Sequence, residues 1–330
     1  MTPSQLKVVL TQAIKARKPI LVKGSPGIGK TDVIESAAFD ANAHLIVMHP
    51  CISDPTDFKG MPVVIDGECF FLPFSELKEL MDAKVLTVCF FDDIGQAPES
   101  VQKALMQLLL KREINGKKIS PHVVFVAATN RKADKAGVSG MLEPVKSRFT
   151  SIVELTVSHK DWIEWAIVKG LPIDLIQFIQ FRPNLLNDFK ASSDLINSPC
   201  PRTVANLGEM LSWDVPKEIE YELFSGAVGE GFASEFMAFR AIANKLPKID
   251  QILIGNDKKA PQGNDVCFAV CIALSRKVSD STIGNVIAYM ETMQAELQVL
   301  FYKTATKMNP DLMNTKEMIL WSTQNSNLLV

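Results

Sequence analysis

The sequence predicts an α/β fold: a parallel five-stranded sheet with helices on both faces, followed by an all-helical region and a helical C-terminal appendix. Three observations carry this. Up to residue 157, short apolar runs alternate with stretches of helical periodicity, the mark of a parallel sheet built from crossover units. A glycine-rich segment, Gly24-Ser25-Pro26-Gly27-Ile28-Gly29-Lys30-Thr31, stands between the first such run and the helix after it. From Ser158 onward the pattern is helical only.

In chain order, Thr2 caps a first helix with Pro3 at its first position, and Leu6, Val9, Leu10, Ala13 and Ile14 repeat at helical spacing. The apolar run at 19–22 is the first strand. After the glycine-rich loop, Val33, Ile34, Ala37 and Ala38 mark a helix, and residues 44–48 a second strand. Two runs at 62–65 and 68–72 flank Asp66-Gly67, a tight hairpin turn. Its Phe70, Phe71 and Phe74 either pack in the core or face a pore, with at least one expected in the core. A helix at 75–83 precedes the run 85–91, which reads as a central strand buried on both faces. Pro98 opens a helix with Val101, Leu105, Leu108 and Leu109 inward, and Asn115-Gly116 turns the chain into a strand at 123–128. The fifth strand is expected at 151–157. Ser158 and Asp161 form a capping pair for a helix containing Trp162, Trp165 and Ala166 and stopping at Gly170. Helices follow near 174–181, 202–211, 218–226 and 233–246. Residues 255–264 form a polar linker, and two amphipathic helices at 265–277 and 282–303 form the appendix.

Over 330 residues, Lys+Arg 35 against Asp+Glu 37 leaves a formal charge of −2 with no basic block, which argues against a protein that grips nucleic acid by its phosphates. The six cysteines form no CxxC pair, and buried thiols in a reducing cytosol fit better than disulfides. Cys267 and Cys271 share a helix face without the further ligands that zinc requires. No signal-peptide pattern opens the chain and no apolar run reaches membrane-spanning length, so the expectation is a soluble cytoplasmic protein with no membrane partner.

The chemistry begins at residues 24–31. Glycines let backbone N–H groups turn around phosphate oxygens, Lys30 brings a cation to the β and γ phosphates, and Thr31 offers a hydroxyl to Mg²⁺. The helix opening at Gly29, with Asp32 in its first turn, adds its positive end. An apolar strand ending in Asp92-Asp93 supplies what a nucleotide hydrolase needs: Asp92 for the Mg²⁺ shell with Thr31, Asp93 to orient and deprotonate the attacking water. Asn130, at the end of the fourth strand, either holds the water or reports the γ-phosphate. Pro201-Arg202 opens a helix, and a cation at a helix N-terminus is disfavoured by up to about 1 kcal/mol unless an anion is near, as a nucleotide's phosphate tail would be. The alternative is an exposed arginine that leaves the helix end. Arg148, just before the fifth strand, could reach a γ-phosphate held by a neighbouring subunit, with Arg131 as the competing finger.

Taken together these motifs resemble an AAA+ ATPase: residues 24–31 as Walker A, 88–93 as Walker B, Asn130 as sensor one, Ser147-Arg148-Phe149 as the arginine-finger segment and Pro201-Arg202 as sensor two. Asp54-Pro55-Thr56-Asp57-Phe58-Lys59-Gly60, the hairpin after it and Asp93-Ile94-Gly95-Gln96-Ala97-Pro98 narrow the resemblance to the MoxR type, of the dynein-related AAA subfamily. The resemblance implies ATP and Mg²⁺ as cofactors and a homo-oligomeric ring, commonly a hexamer. It also implies chaperone-like remodelling of a protein client, often a von Willebrand factor A domain protein. The resemblance covers roughly residues 1–215; with the change of pattern at Ser158 and the polar linker at 255–264, the chain is expected to divide into an α/β nucleotide-binding domain (1–157), a helical lid (158–254) and a linker with C-terminal extension (255–330). Two departures stand out. That group usually has Glu where Asp93 stands, one methylene longer, and Asn where Gly95 stands, which gives a side-chain hydrogen bond behind the acid; the shorter Asp93 leaves fast and slow hydrolysis both open, while ATP and Mg²⁺ binding is untouched. The competing expectations are an ATP-gated scaffold with little hydrolysis, and a nucleic-acid-linked motor using GTP or ATP like the McrB restriction subunit.

Overall fold

The computed structural model describes residues 1–131, 134, 140–190, 194–243 and 247–326. The chain divides into two compact units, Met1–Ser234 and Glu235–Val330.

The first unit opens with α1 (Pro3–Lys15), where the Thr2 hydroxyl accepts from Gln5 N–H and the Gln5 side chain accepts from Thr2 N–H, closing a reciprocal cap. Then come β1 (Ile20–Gly24), α2 (Lys30–Asp40), β2 (His44–Met48), the hairpin β3 (Met61–Ile65) and β4 (Glu68–Leu72), α3 (Ser75–Asp82), β5 (Thr87–Phe91) and α4 (Glu99–Lys111). A small hairpin of β6 (Glu113–Ile114) and β7 (Lys117–Lys118) leads to β8 (Val123–Asn130), α5 (Glu143–Lys146) and β9 (Ser151–Glu154). Five strands form one sheet in the order β2-β5-β8-β1-β9, every pair parallel. The expected sheet of five parallel strands between helical layers is therefore what the chain forms.

Side-chain alternation covers both faces. Leu21, Cys89, Phe91, Phe125 and Ala127 point into a core with Leu77, Leu80, Leu105 and Leu108 of α3 and α4. Their neighbours Ile20, Val22, Val88, Phe90, Val124 and Val126 point the other way, against Leu6, Leu10, Ile34 and Ala37 of α1 and α2. Register then sets the site. Gly24 pairs with Asn130 and Phe91 with Ala127, so the phosphate loop, Asp92-Asp93 and Asn130 all leave the sheet at its carboxyl edge.

Four helices, α6 (His159–Lys169), α7 (Ile173–Phe181), α8 (Pro201–Met210) and α9 (Lys217–Val228), complete this unit up to the start of α10 (Glu230–Ala243). Ser158 caps α6 as expected, accepting from Asp161 N–H. The second unit holds the rest of α10, α11 (Ile249–Leu253), α12 (Asn264–Lys277), α13 (Ile283–Met290), α14 (Ala295–Met308) and α15 (Lys316–Gln324). Val270, Leu274, Val286, Tyr289 and Phe301 lie in its core.

Three expectations are corrected. No phenylalanine of the hairpin is buried: Phe70, Phe71 and Phe74 are 45%, 42% and 40% exposed, because β3 and β4 pair only with each other. The helix expected at 282–303 is two helices, α13 and α14. The Thr292 hydroxyl donates to the Tyr289 carbonyl at 2.7 Å and Gln294 adopts extended backbone, so the chain turns between them. The fifth strand stops at Glu154 rather than residue 157. The far end of the helix expected at 233–246 falls outside the described residues.

Candidate nucleotide site

The loop between β1 and α2 turns through Gly27 (φ 72°) and Gly29 (φ 88°), left-handed conformations that residues with a Cβ resist. The turn leaves the N-terminus of α2 uncapped by any side chain, so its amides remain available to an anion. Lys30, the first residue of α2, is buried, and its ammonium donates to the carbonyls of Gly24 (3.1 Å) and Ser25 (2.9 Å) and to Asn130 Oδ1 (2.6 Å). Burial pulls its pKa down to about 8, against the opposing pull of Asp93 and Asp92.

Asn130 is the link. Its amide nitrogen donates to Asp93 Oδ1 at 3.1 Å, so Lys30 at the start of α2, Asn130 at the end of β8 and Asp93 just after β5 form one hydrogen-bonded chain. Asp93 takes a left-handed backbone (φ 53°), uncommon outside glycine and asparagine, which turns the chain sharply after β5. Burial, then the neighbouring Asp92, raises the Asp93 pKa above the usual carboxylate range. Asp92 accepts from Thr31 Oγ1 at 3.2 Å and from Asp93 N–H at 3.1 Å. The Thr31 hydroxyl and Asp92 carboxylate are hard oxygen donors side by side at the loop's mouth, a set that suits Mg²⁺ completed by phosphate and water oxygens.

The helical part closes over this edge. Arg202 N–H donates to the Gly27 carbonyl at 3.0 Å, and a Cβ at Gly27 would stand 2.5 Å from Cys200 Sγ. Two connected clefts result. The narrow one, about 70 Å³, is lined by Gly29, Lys30, Asp92, Asp93, Asn130 and Arg202, with Pro26, Gly27 and Thr31 at its walls. The wide one, about 560 Å³, shares Gly27, Gly29, Thr31, Asp92 and Arg202, and is also lined by Ile28, Asp32, Trp162 and Trp165 of α6 and Glu209 of α8. The Arg202 side chain is exposed and makes no ion pair among the described residues.

Two arginines sort differently. Arg148 is exposed and lines neither cleft, so the structure does not bring it to the other site residues of its own chain. Arg131 is held in place: it donates to both Asp134 oxygens at 3.0 Å, to Glu154 Oε1 at 3.2 Å and to Ser25 Oγ. That network ties the ends of β8 and β9 to the phosphate loop, and the sequence reading of Arg131 as a competing finger missed it. The signal was faint, an arginine directly after Asn130. The reading also placed Trp162 and Trp165 on a helix without any part in the site, although these two tryptophans stand three residues apart in the first helix after the last strand.

The family model for the AAA domain (dynein-related subfamily) matches residues 19–149, the segment from Pro19, just before β1, through Phe149. Those residues are an AAA domain, and so a nucleotide-binding one. The chain is also similar to the RuvB Holliday junction branch migration motor of Thermotoga maritima, at 18% identity over 88% of this chain and 86% of that one, with a TM-score of 0.43. It is similar as well to NtrX of Brucella abortus solved with ADP, at 14% identity over 99% of this chain and 68% of that one, with a TM-score of 0.42. Neither likeness bears on activity. Among the described residues no helix is long and apolar enough to cross a membrane.

Proposed function

We propose that this chain is a Mg²⁺-dependent ATPase of the MoxR type that assembles into a homo-oligomeric ring, commonly a hexamer in that group, and uses hydrolysis to remodel a protein client. A von Willebrand factor A domain protein is the client class the resemblance implies. One observation carries the hydrolase reading: Lys30, Asn130 and Asp93 are joined in a single hydrogen-bonded chain beside the Thr31–Asp92 pair.

In this reading the phosphates lie in the narrow cleft, where loop amides, Lys30 and Arg202 hold them. Thr31 and Asp92 hold Mg²⁺, which neutralises charge on the phosphates when bound. Asp93 takes the proton of the attacking water as the bond from the γ-phosphorus to the bridging oxygen breaks, giving ADP and phosphate. Its raised pKa makes it a better base than an ordinary aspartate. Arg148, exposed on its own subunit, reaches the γ-phosphate of a neighbour. Contact of Arg202 with the nucleotide couples phosphate loss to movement of α8, and the exposed β3–β4 hairpin meets the client.

The ATP-gated scaffold remains the second reading because Asp93 already gives one carboxylate oxygen to Asn130 and is a methylene shorter than the glutamate usual there. Phosphate release with MgATP tests both. The motor reading expects turnover that Lys30→Ala abolishes and Asp93→Glu does not raise. A large gain in Asp93→Glu favours the scaffold, and no turnover at any protein concentration sinks the motor.

A further inference from the structure

Gln102 is a polar side chain on the core face of α4, 2% exposed, on the same helix as buried Val101, Leu105 and Leu108. A buried amide has to be satisfied, and backbone groups alone satisfy this one. Its Nε2 donates to the carbonyls of Ala97 (3.1 Å) and Gly140 (2.9 Å), and its Oε1 accepts from Leu142 N–H at 2.9 Å. Reversing the amide would set its oxygen against two carbonyl oxygens, so these partners fix its orientation. The bonds join two segments that lie far apart in sequence. One is the turn behind Asp93, where Gln96 N–H donates to the Asp93 carbonyl at 2.9 Å and Ala97 N–H to the Ile94 carbonyl at 3.3 Å. The other leads to Arg148. The Leu142 carbonyl accepts from Val145 N–H at 2.9 Å and Lys146 N–H at 3.1 Å, opening α5, and Arg148 N–H donates to the Val145 carbonyl at 3.2 Å. Val145 and Phe149 are buried in the same core as Ile94, Ala97 and Leu105, while Arg148 between them is exposed.

We propose that Gln102 is a positioning residue for Arg148: its amide sets where the arginine stands relative to the turn behind Asp93. This rests on the reading of Arg148 as a finger for an adjoining subunit. A four-residue helix is far below the length that holds itself in water, so α5 takes its place from what it is tied to. Burial of Val145 and Phe149 holds it against the core without direction, whereas the Gln102 bonds to backbone atoms are directional and set where it starts. An arginine that stabilises charge on a γ-phosphate acts only when accurately placed, and a misplacement of about 1 Å costs on the order of a hundredfold. Gln102 lines neither cleft, so it acts through Arg148 and not on the nucleotide of its own subunit.

Phosphate release from MgATP is measured for Gln102→Met, which keeps the length and loses the amide, alone and in equimolar mixture with Lys30→Ala or with Arg148→Ala. Alone, Gln102→Met should lose on the order of a hundredfold in kcat with KM within about twofold of the parent, because its arginine is misplaced while its own nucleotide site is intact. Lys30→Ala subunits carry a well-placed Arg148 and should restore a substantial fraction of turnover. Arg148→Ala subunits offer no arginine and should restore none. Leu142→Pro removes the N–H that Gln102 holds, at a φ of −62° that proline adopts, and should give the same pattern even if Gln102→Met fails to fold. Parent-like kcat in the folded variants overturns the proposal. So does failure of both mixtures to restore turnover, which makes Gln102 merely structural, and so does rescue by Arg148→Ala. If the mixture of Lys30→Ala with Arg148→Ala is itself inactive, the finger reading fails and takes this one with it.

Discussion

The backbone N–H of Arg202 donates to the carbonyl of Gly27, so the first turn of α8 rests directly on the phosphate loop. The fit leaves no room at Gly27, where a Cβ would meet the buried Cys200 sulfur at 2.5 Å and φ is +72°. Gly27→Ala is expected to destabilise by about 1–3 kcal/mol and to weaken nucleotide binding. Adding Cys200→Ala relieves the clash but not the backbone strain, so thermal melts of the double variant should recover only part of the loss.

Lys30 sets a pH limit. With a pKa of about 8, its ammonium is present below that pH and is lost as pH rises through it. A bound triphosphate favours the charged form, so binding takes up protons in the window between about 8 and the ordinary lysine value near 10.4, and none at pH 6.5. Affinity is expected to fall by up to about tenfold per pH unit above 8. Calorimetry in buffers of different ionisation enthalpy checks the proton count.

For Asp93 the sign runs the other way. Its carboxyl pKa is raised, so the fold disfavours the anion, and stability present at acid pH is lost as pH rises through the folded pKa. Asp93→Asn is therefore expected to melt higher than the parent at pH 7, with the gain vanishing towards pH 3. Turnover should drop by about a hundredfold or more. The parent's acid limb should lie above the pH of an unperturbed aspartate.

Arg131 is bonded to the loop of its own chain. Its partners Asp134, Glu154 and Ser25 belong to the same chain. Because the guanidinium is partly exposed, Arg131→Ala should cost only about 1 kcal/mol of stability and weaken ATP binding modestly. Mixing it with an arginine-competent partner should not restore its activity.

The hairpin phenylalanines should be dispensable for folding. Replacing exposed Phe70, Phe71 and Phe74 with Ser should change stability by no more than about 0.5 kcal/mol each and leave basal turnover intact. Stimulation of turnover by a client is the readout expected to disappear.

What could be read from residues alone follows physical lines. The runs of β5 and β8 announce themselves because strands buried on both faces must be apolar without interruption. The phosphate loop, the acids after β5 and Asn130 are legible because their chemistry needs fixed residue types at strand ends. The hairpin is legible as a hairpin, yet its exposure is not: β4 carries the same Phe70 and Phe71 whether or not a further layer covers it. The break between α13 and α14 carries no proline or glycine and rests on a Thr292 hydroxyl bond that periodicity does not register. Arg131 meets Ser25 and Glu154 across 106 and 23 residues, pairings that spacing alone does not reveal.

The central claim is that Lys30 and its companions form a working site completed by Arg148 of an adjoining subunit. Phosphate release from MgATP by Lys30→Ala, by Arg148→Ala and by their equimolar mixture tests it most directly. Each variant alone should be inactive, and the mixture should regain a substantial fraction of parent turnover, rising with protein concentration, because Lys30→Ala subunits supply the missing arginine to intact phosphate loops. A mixture as inactive as its components, or full activity in Arg148→Ala alone, would contradict it.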